Sequence, residues 1–213
     1  MSTTSAYGWN IPDNTDLVKD GALAIRTLGN AIDTSMNTAL GTKKAGMVLL
    51  NTTSFSGVSS QSISDVFSAT YTNYKILTSL TAIAADTSIT LRLRVSGSDA
   101  SGADYNSGII AYSVGGGVMG SFSETAKTAF WFGQADTGVG VAAYACSTDL
   151  FNPFDAVYTR IINSRHSTDT GGNYFVQNDA GRHQQNTSYT GFTVISSGTN
   201  ALTGSISVYG YNK

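Results

Sequence analysis

The chain of 213 residues holds a single cysteine, Cys146, and two prolines, Pro12 and Pro153. One thiol excludes an intramolecular disulfide framework and a cysteine-rich zinc site. With Pro12 near the start, the long second half is nearly free of residues that break strands. Only 12% of residues are charged, and 14 acidic residues against 12 basic ones leave a net charge of −2. No basic cluster appears, so nucleic acid is not an expected partner. Glu124 is the only glutamate, which removes any pair of catalytic glutamates of the glycosidase kind. The longest apolar runs, Gly46–Leu50 and Thr128–Phe132, are far short of the ~20 residues that span a membrane. No charged stretch leading into an apolar one opens the chain, so neither a signal peptide nor membrane insertion is expected.

What the chain does contain is glycine, at 23 positions, together with abundant Ser, Thr and Asn. Hydrophobic residues at 41% suffice for a sizeable core, so the chain is not a disordered polar tract. A neutral, hydroxyl-rich surface suits a structural or adhesive protein better than an enzyme.

Three segments differ in character. Residues 1–14 read as an extended arm anchored by aromatic and apolar side chains, Tyr7, Trp9, Ile11 and Pro12. Residues 15–44 read as an α-helix. Asp13, Asn14, Thr15 and Asp16 offer caps and negative charge to its first turn, and Gly41 with Lys43 and Lys44 closes it. Val18, Ile25, Ile32 and Ala39 recur every seven residues, with Gly21, Leu28 and Ser35 three positions later. This narrow stripe fits either a helix lying on its own β-domain or a coiled-coil stalk. The helix has few large side chains with which to cover a sheet, which favours the stalk. Val18, Ile25, Leu28 and Ile32 are its candidate oligomer seam.

From residue 45 to 213 the apolar period falls to two. Ile89, Leu91, Leu93 and Val95 alternate with Thr90, Arg92 and Arg94, so both arginines should face away from the core. Similar runs separated by Gly- and Asn-rich turns give roughly nine to eleven strands without intervening helices. The expected fold is mainly β: an antiparallel sandwich, jelly-roll-like, preceded by the arm and the helix.

Catalytic motifs are weak. Asp136-Thr137-Gly138 and Asp169-Thr170-Gly171 resemble the paired loops of aspartic proteases, but their polar flanks suit ordinary turns. Gly115, Gly117 and Gly120 have the spacing of a dinucleotide loop without the helix that must follow, and read as an inter-strand loop. His166 and His183 each follow an arginine and lack metal-ligand spacing; both read as surface loop residues. Cys146 reads as a buried small hydrophobe. Neither cofactor nor metal is expected. The polar-aromatic stretch containing Asn173, Tyr174, Asp179, Arg182, His183 and Gln184 is the candidate receptor-facing surface.

The opening Tyr7-Gly8-Trp9-Asn10-Ile11-Pro12, followed by Thr15-Asp16-Leu17-Val18-Lys19-Asp20-Gly21-Ala22 and a helix, resembles the N-terminal region of tailed-bacteriophage fibre and minor tail proteins. The segments Val66–Ile76, Leu91–Arg94 and Ser96-Gly97, and the ending Leu202–Tyr211, are similar to fibre β-domains. The resemblance implies a non-enzymatic virion protein on the tail or head exterior, a homotrimer held to other virion proteins through its arm. Host attachment through a surface glycan or protein would follow. A capsid decoration, cement or head-fibre protein is the alternative it leaves open.

Overall fold

The computed structural model describes residues 2–11, 18–41, 46–85, 87–114, 116–135, 144–168, 174–199 and 201–212. The chain divides into two compact units, Met1–Gly46 and Met47–Lys213.

In the first unit the opening segment does not run extended. It folds back as a hairpin in which β1 (Ser2–Thr3) pairs antiparallel with β2 (Asn10–Ile11). The turn is closed three times by Thr4: its amide donates to the Trp9 carbonyl at 2.9 Å, its carbonyl accepts from the Gly8 amide at 2.9 Å, and its hydroxyl accepts from the Trp9 amide at 3.0 Å. Gly8 supplies the positive φ of 66° that lets the chain reverse. Tyr7 stacks on Trp9 with ring centroids 5.0 Å apart.

The helix α1 runs from Val18 to Gly41. Trp9 donates its indole N–H to the Ser35 hydroxyl at 3.0 Å, so the hairpin rests on a position of the expected seam. Leu28 and Ile32 are half-buried, whereas Ile25 is exposed, as are Leu23 and Met36. Pro12, the capping residues 13–16, Lys43 and Lys44, and the side chain of Val18 lie outside the described residues.

Among the described residues the second unit is mainly antiparallel β, as expected, with one short 3-10 turn at Ser197–Thr199. Its strands are β3 (Met47–Val58), β4 (Ser60–Ile63), β5 (Asn73–Ile83), β6 (Thr87–Val95), β7 (Ser98–Asp99), β8 (Tyr105–Ser113) and β9 (Val118–Lys127). They continue with β10 (Phe130–Ala135), β11 (Tyr144–Phe151), β12 (Thr159–Thr168), β13 (Tyr174–His183), β14 (Gly191–Ser196) and β15 (Leu202–Tyr211). The larger sheet has eight strands in the order β3-β15-β5-β11-β12-β13-β8-β9. The smaller follows β10-β6-β14-β4, with β7 paired to β6. A sandwich accounts for this arrangement. The strand order by itself does not make it a jelly roll.

Alternation explains the layering. Ile89, Leu91 and Leu93 are fully buried while Arg92 and Arg94 stand on the other face of β6. They meet Tyr74, Ile76 and Leu80 of β5, Ile206 and Val208 of β15, and Phe192 and Val194 of β14 in one core. Burying each such side chain contributes about 1.5–3 kcal/mol. Tyr105 ties the sheets together: its hydroxyl accepts from the Leu93 amide at 3.1 Å and donates to the Ala100 carbonyl at 2.7 Å.

Candidate functional site

Strands β12 and β13 pair along ten positions in the middle of the larger sheet, from Thr159 opposite His183 to Thr168 opposite Tyr174. Among the described side chains of both strands, odd-numbered residues point into the sandwich and even-numbered ones point out. The inward column is mostly polar: beside the core residue Ile161 it buries Thr159, Asn163 and Arg165 on β12, and Gln177, Asp179 and His183 on β13.

Asn163, Arg165, Gln177 and Asp179 bond to one another, whereas Thr159 Oγ1, Arg165 Nη2 and His183 Nε2 have no hydrogen-bond partner among the described residues. Arg165 forms an ion pair with Asp179, both side chains fully inaccessible, and donates its Nε–H to Gln177 Oε1 at 2.7 Å. Asn163 donates its amide to the other Asp179 oxygen at 2.7 Å and accepts the Thr148 hydroxyl at 2.7 Å. Cys146 Sγ lies 3.4 Å from that hydroxyl. Burial pushes the Asp179 carboxyl above its ordinary pKa, against the opposing pull of Arg165 and Asn163. Burial likewise raises the Cys146 thiol, which leaves it a protonated, sequestered group rather than a nucleophile.

The opposing sheet makes room for this charge. Strand β10 bulges between Trp131 and Gly133, and Gly133 has a φ of 127°. A Cβ there would stand 2.6 Å from Arg165 Cδ and 3.0 Å from the Tyr144 ring. Glycine is therefore required both by the backbone conformation and by the arginine it faces.

Two of the candidate receptor-facing residues are corrected by this geometry. Asp179 and His183 are buried, because both occupy inward positions of β13 rather than a loop. His183 sits between the rings of Tyr105 and Tyr189, centroids 4.2 and 5.3 Å away, with Nδ1 3.2 Å from the Tyr189 hydroxyl. Burial lowers its pKa, against the pull of Asp104, and favours the neutral ring. His166 is also a strand residue, on β12, but exposed. Arg182 is exposed as expected. Gln184 is half-buried and accepts from the Asn106 amide at 2.9 Å. Asn173, the side chain of Tyr174 and both Asp-Thr-Gly triplets fall outside the described residues. Gly117 lies in the turn before β9 and Gly120 within that strand, so no helix follows the glycine spacing. Among the described residues, no three His, Cys, Asp or Glu side chains gather as a metal site. None of the described helices is long and apolar enough to cross a membrane.

The outer face of the same sheet carries the open surface. A trough of about 510 Å³ crosses β15, β5, β11, β12 and β13. Its floor is two register rows, Ser205-Ser79-Ala145-His166-Val176 and Ser207-Leu77-Ser147-Ser164. Small hydroxyl side chains between Leu77, His166 and Val176 leave it hollow. A second groove of about 460 Å³ lies over β12, β13, β8 and β9, with Arg160 and Arg182 in its wall. Sequence reasoning had no means of finding Arg160 or the serine rows, since they become neighbours only through strand register.

This chain matches no family model, no curated protein and no solved structure.

Proposed function

We propose that this chain is a non-enzymatic adhesive protein of a bacteriophage particle, a trimeric tail fibre whose β-unit presents the outer face of its larger sheet to the host surface. The observation that carries this reading is the contrast between that face and the interior. The buried polar groups of β11, β12 and β13 bond mainly to one another, whereas the outer face of the same strands offers hydroxyl rows and two open grooves. The buried titratable groups are thus placed to hold the fold, and the outer face, mostly neutral and polar with His166, Arg160 and Arg182 among its lining, is left to meet a ligand.

The first unit supports an attachment role. Tyr7 is 73% exposed at the tip of the hairpin, and Ile25 and Met36 leave an apolar strip on α1 beside the row that the hairpin takes. A trimer seam built on that strip uses Ile25 with Ile32, rather than both heptad rows in full. Several weak sites carried on one oligomer would act together once one had engaged.

Cryo-electron microscopy of the intact particle tests the reading. Density for the chain at the tail is the expected result. Density on the capsid lattice would replace the fibre with a decoration protein. A monomeric mass of the purified full chain by analytical ultracentrifugation would refute the trimer.

A further inference from the structure

Arg160 and Arg182 are direct register partners across β12 and β13, both exposed on the outer face. Directly opposite side chains on an antiparallel pair leave their Cβ atoms about 5 Å apart, and like charges there destabilise the sheet. Among the described residues neither guanidinium takes a hydrogen bond or an ion pair. Nearby carboxylates are engaged elsewhere. Glu124, in the same groove, is bound by Lys127 at 2.6 Å. Asp149 is held by Lys75 at 3.0 Å and by the Tyr211 hydroxyl at 2.5 Å, and Asp179 lies beneath the sheet with Arg165. In a chain with only 12 basic residues, two cations stand face to face without an acid between them.

We infer that this arginine pair is a binding site for a single oxyanion, a carboxylate or phosphate, carried on an otherwise neutral glycan. Two guanidinium forks flanking one groove match the bidentate geometry of such a group, and its charge relieves their repulsion. Gly108 and Ala180 keep the groove open at about 460 Å³, and Asn106, Ser123 and Thr125 line it with neutral polar groups suited to sugar hydroxyls. Two cations with no further basic track fit one anionic substituent rather than a nucleic acid backbone. The wall holds no large apolar side chain of the kind that anchors a peptide. The inference rests on the adhesive reading above and names the chemistry of its receptor.

The test uses the purified full chain on three surfaces with one backbone: carboxymethyl-dextran, dextran phosphate and plain dextran. Retention on one or both anionic surfaces and none on plain dextran is expected, and the surface retained identifies the anion. Arg160→Gln with Arg182→Gln should weaken that retention about tenfold or more. Arg26→Gln with Arg92→Gln, which removes the same charge elsewhere, should leave it within about twofold. Equal retention on plain dextran, unchanged retention of the Arg160/Arg182 variant, or an equal loss in the Arg26/Arg92 variant would overturn the site. Because the readout does not depend on where the chain sits in a particle, a capsid location would defeat the fibre reading and leave this result standing. A failure to bind would defeat the site and leave the location untouched.

Discussion

The two faces of β12 and β13 hold their arginines in opposite ways. Arg165, pointing inward, is inaccessible to solvent and is met by Asp179, Gln177 and the gap left by Gly133. Arg160 and Arg182, pointing outward on the same strands, face each other with no acid between them. One residue type on one pair of strands thus serves architecture on one side and remains available on the other. What separates the roles is strand parity. An inward arginine must be neutralised where it stands, because an unpaired buried charge costs several kcal/mol. An outward one is hydrated and tolerates a like-charged neighbour at small cost.

The largest effect should come from breaking the inner pair. Asp179→Ala leaves Arg165 buried without its counter-ion, and is expected to destabilise the chain by about 3–5 kcal/mol in urea unfolding. Adding Arg165→Met removes the orphaned charge and should restore much of that loss. A cost below ~1 kcal/mol for Asp179→Ala would mean that the inner arginine needs no neutralisation, and the contrast between the faces would fail.

Next comes the opposing sheet. Gly133→Ala places a methyl group against the Arg165 side chain at a φ of 127°. The backbone term alone is about 1–3 kcal/mol. Shortening the neighbour with Arg165→Ala, which removes both contacting atoms, should relieve the contact with the arginine but not the backbone strain. A double-mutant cycle therefore separates the two, and a coupling energy near zero would show that Gly133 is required by its conformation only.

A smaller effect concerns His183, inward on the same strand. Its pKa is lowered in the folded state by burial, whereas the unfolded chain titrates near the ordinary 6.5. Below that value the unfolded chain binds the proton first. Stability is therefore full above about pH 6.5 and falls as pH drops toward the lowered folded value, by up to about 1.4 kcal/mol per pH unit. Urea midpoints measured from pH 8 to pH 5 should show this slope, and His183→Gln should flatten it. An unchanged slope in that variant would assign the acid sensitivity to another group.

Much of the fold was legible because apolar alternation marks it. Ile89 to Val95 read directly as a strand with its arginines outward, and the structure agrees. The helix was legible from its seven-residue repeat, although the docking of Trp9 on Ser35 was not, since nothing local in an aromatic arm says that it folds back. The inner column of β13 was illegible for a different reason. Gln177, Asp179 and His183 point inward, while Val176 and Ala180 point out. Polar residues inside and apolar ones outside invert the signal that parity normally gives. Asp179 and His183 therefore read as surface groups. The arginine pair was hidden for a third reason: Arg160 meets Arg182 only through register, which depends on the turn between β12 and β13 and on neighbouring strands.

The smallest expected effect decides whether the outer face is truly the counterpart of the inner one. Arg182→Gln removes one of two directly opposed charges and breaks no hydrogen bond or ion pair among the described residues. Opposed like charges on a sheet surface cost a fraction of a kcal/mol. The variant should therefore be neutral, or more stable than the parent by up to about 0.5 kcal/mol at low ionic strength. Exposed charges are screened within about 10 Å at 0.1 M salt, so any gain should vanish in 1 M salt. Urea unfolding at both ionic strengths measures this. Loss of stability of more than ~1 kcal/mol would show that Arg182 holds the sheet together, and the outer arginines would then belong to the architecture as Arg165 does. A neutral or salt-sensitive gain leaves the pair with no stabilising role in the fold, and a role in the free chain would then have to come from what the groove binds.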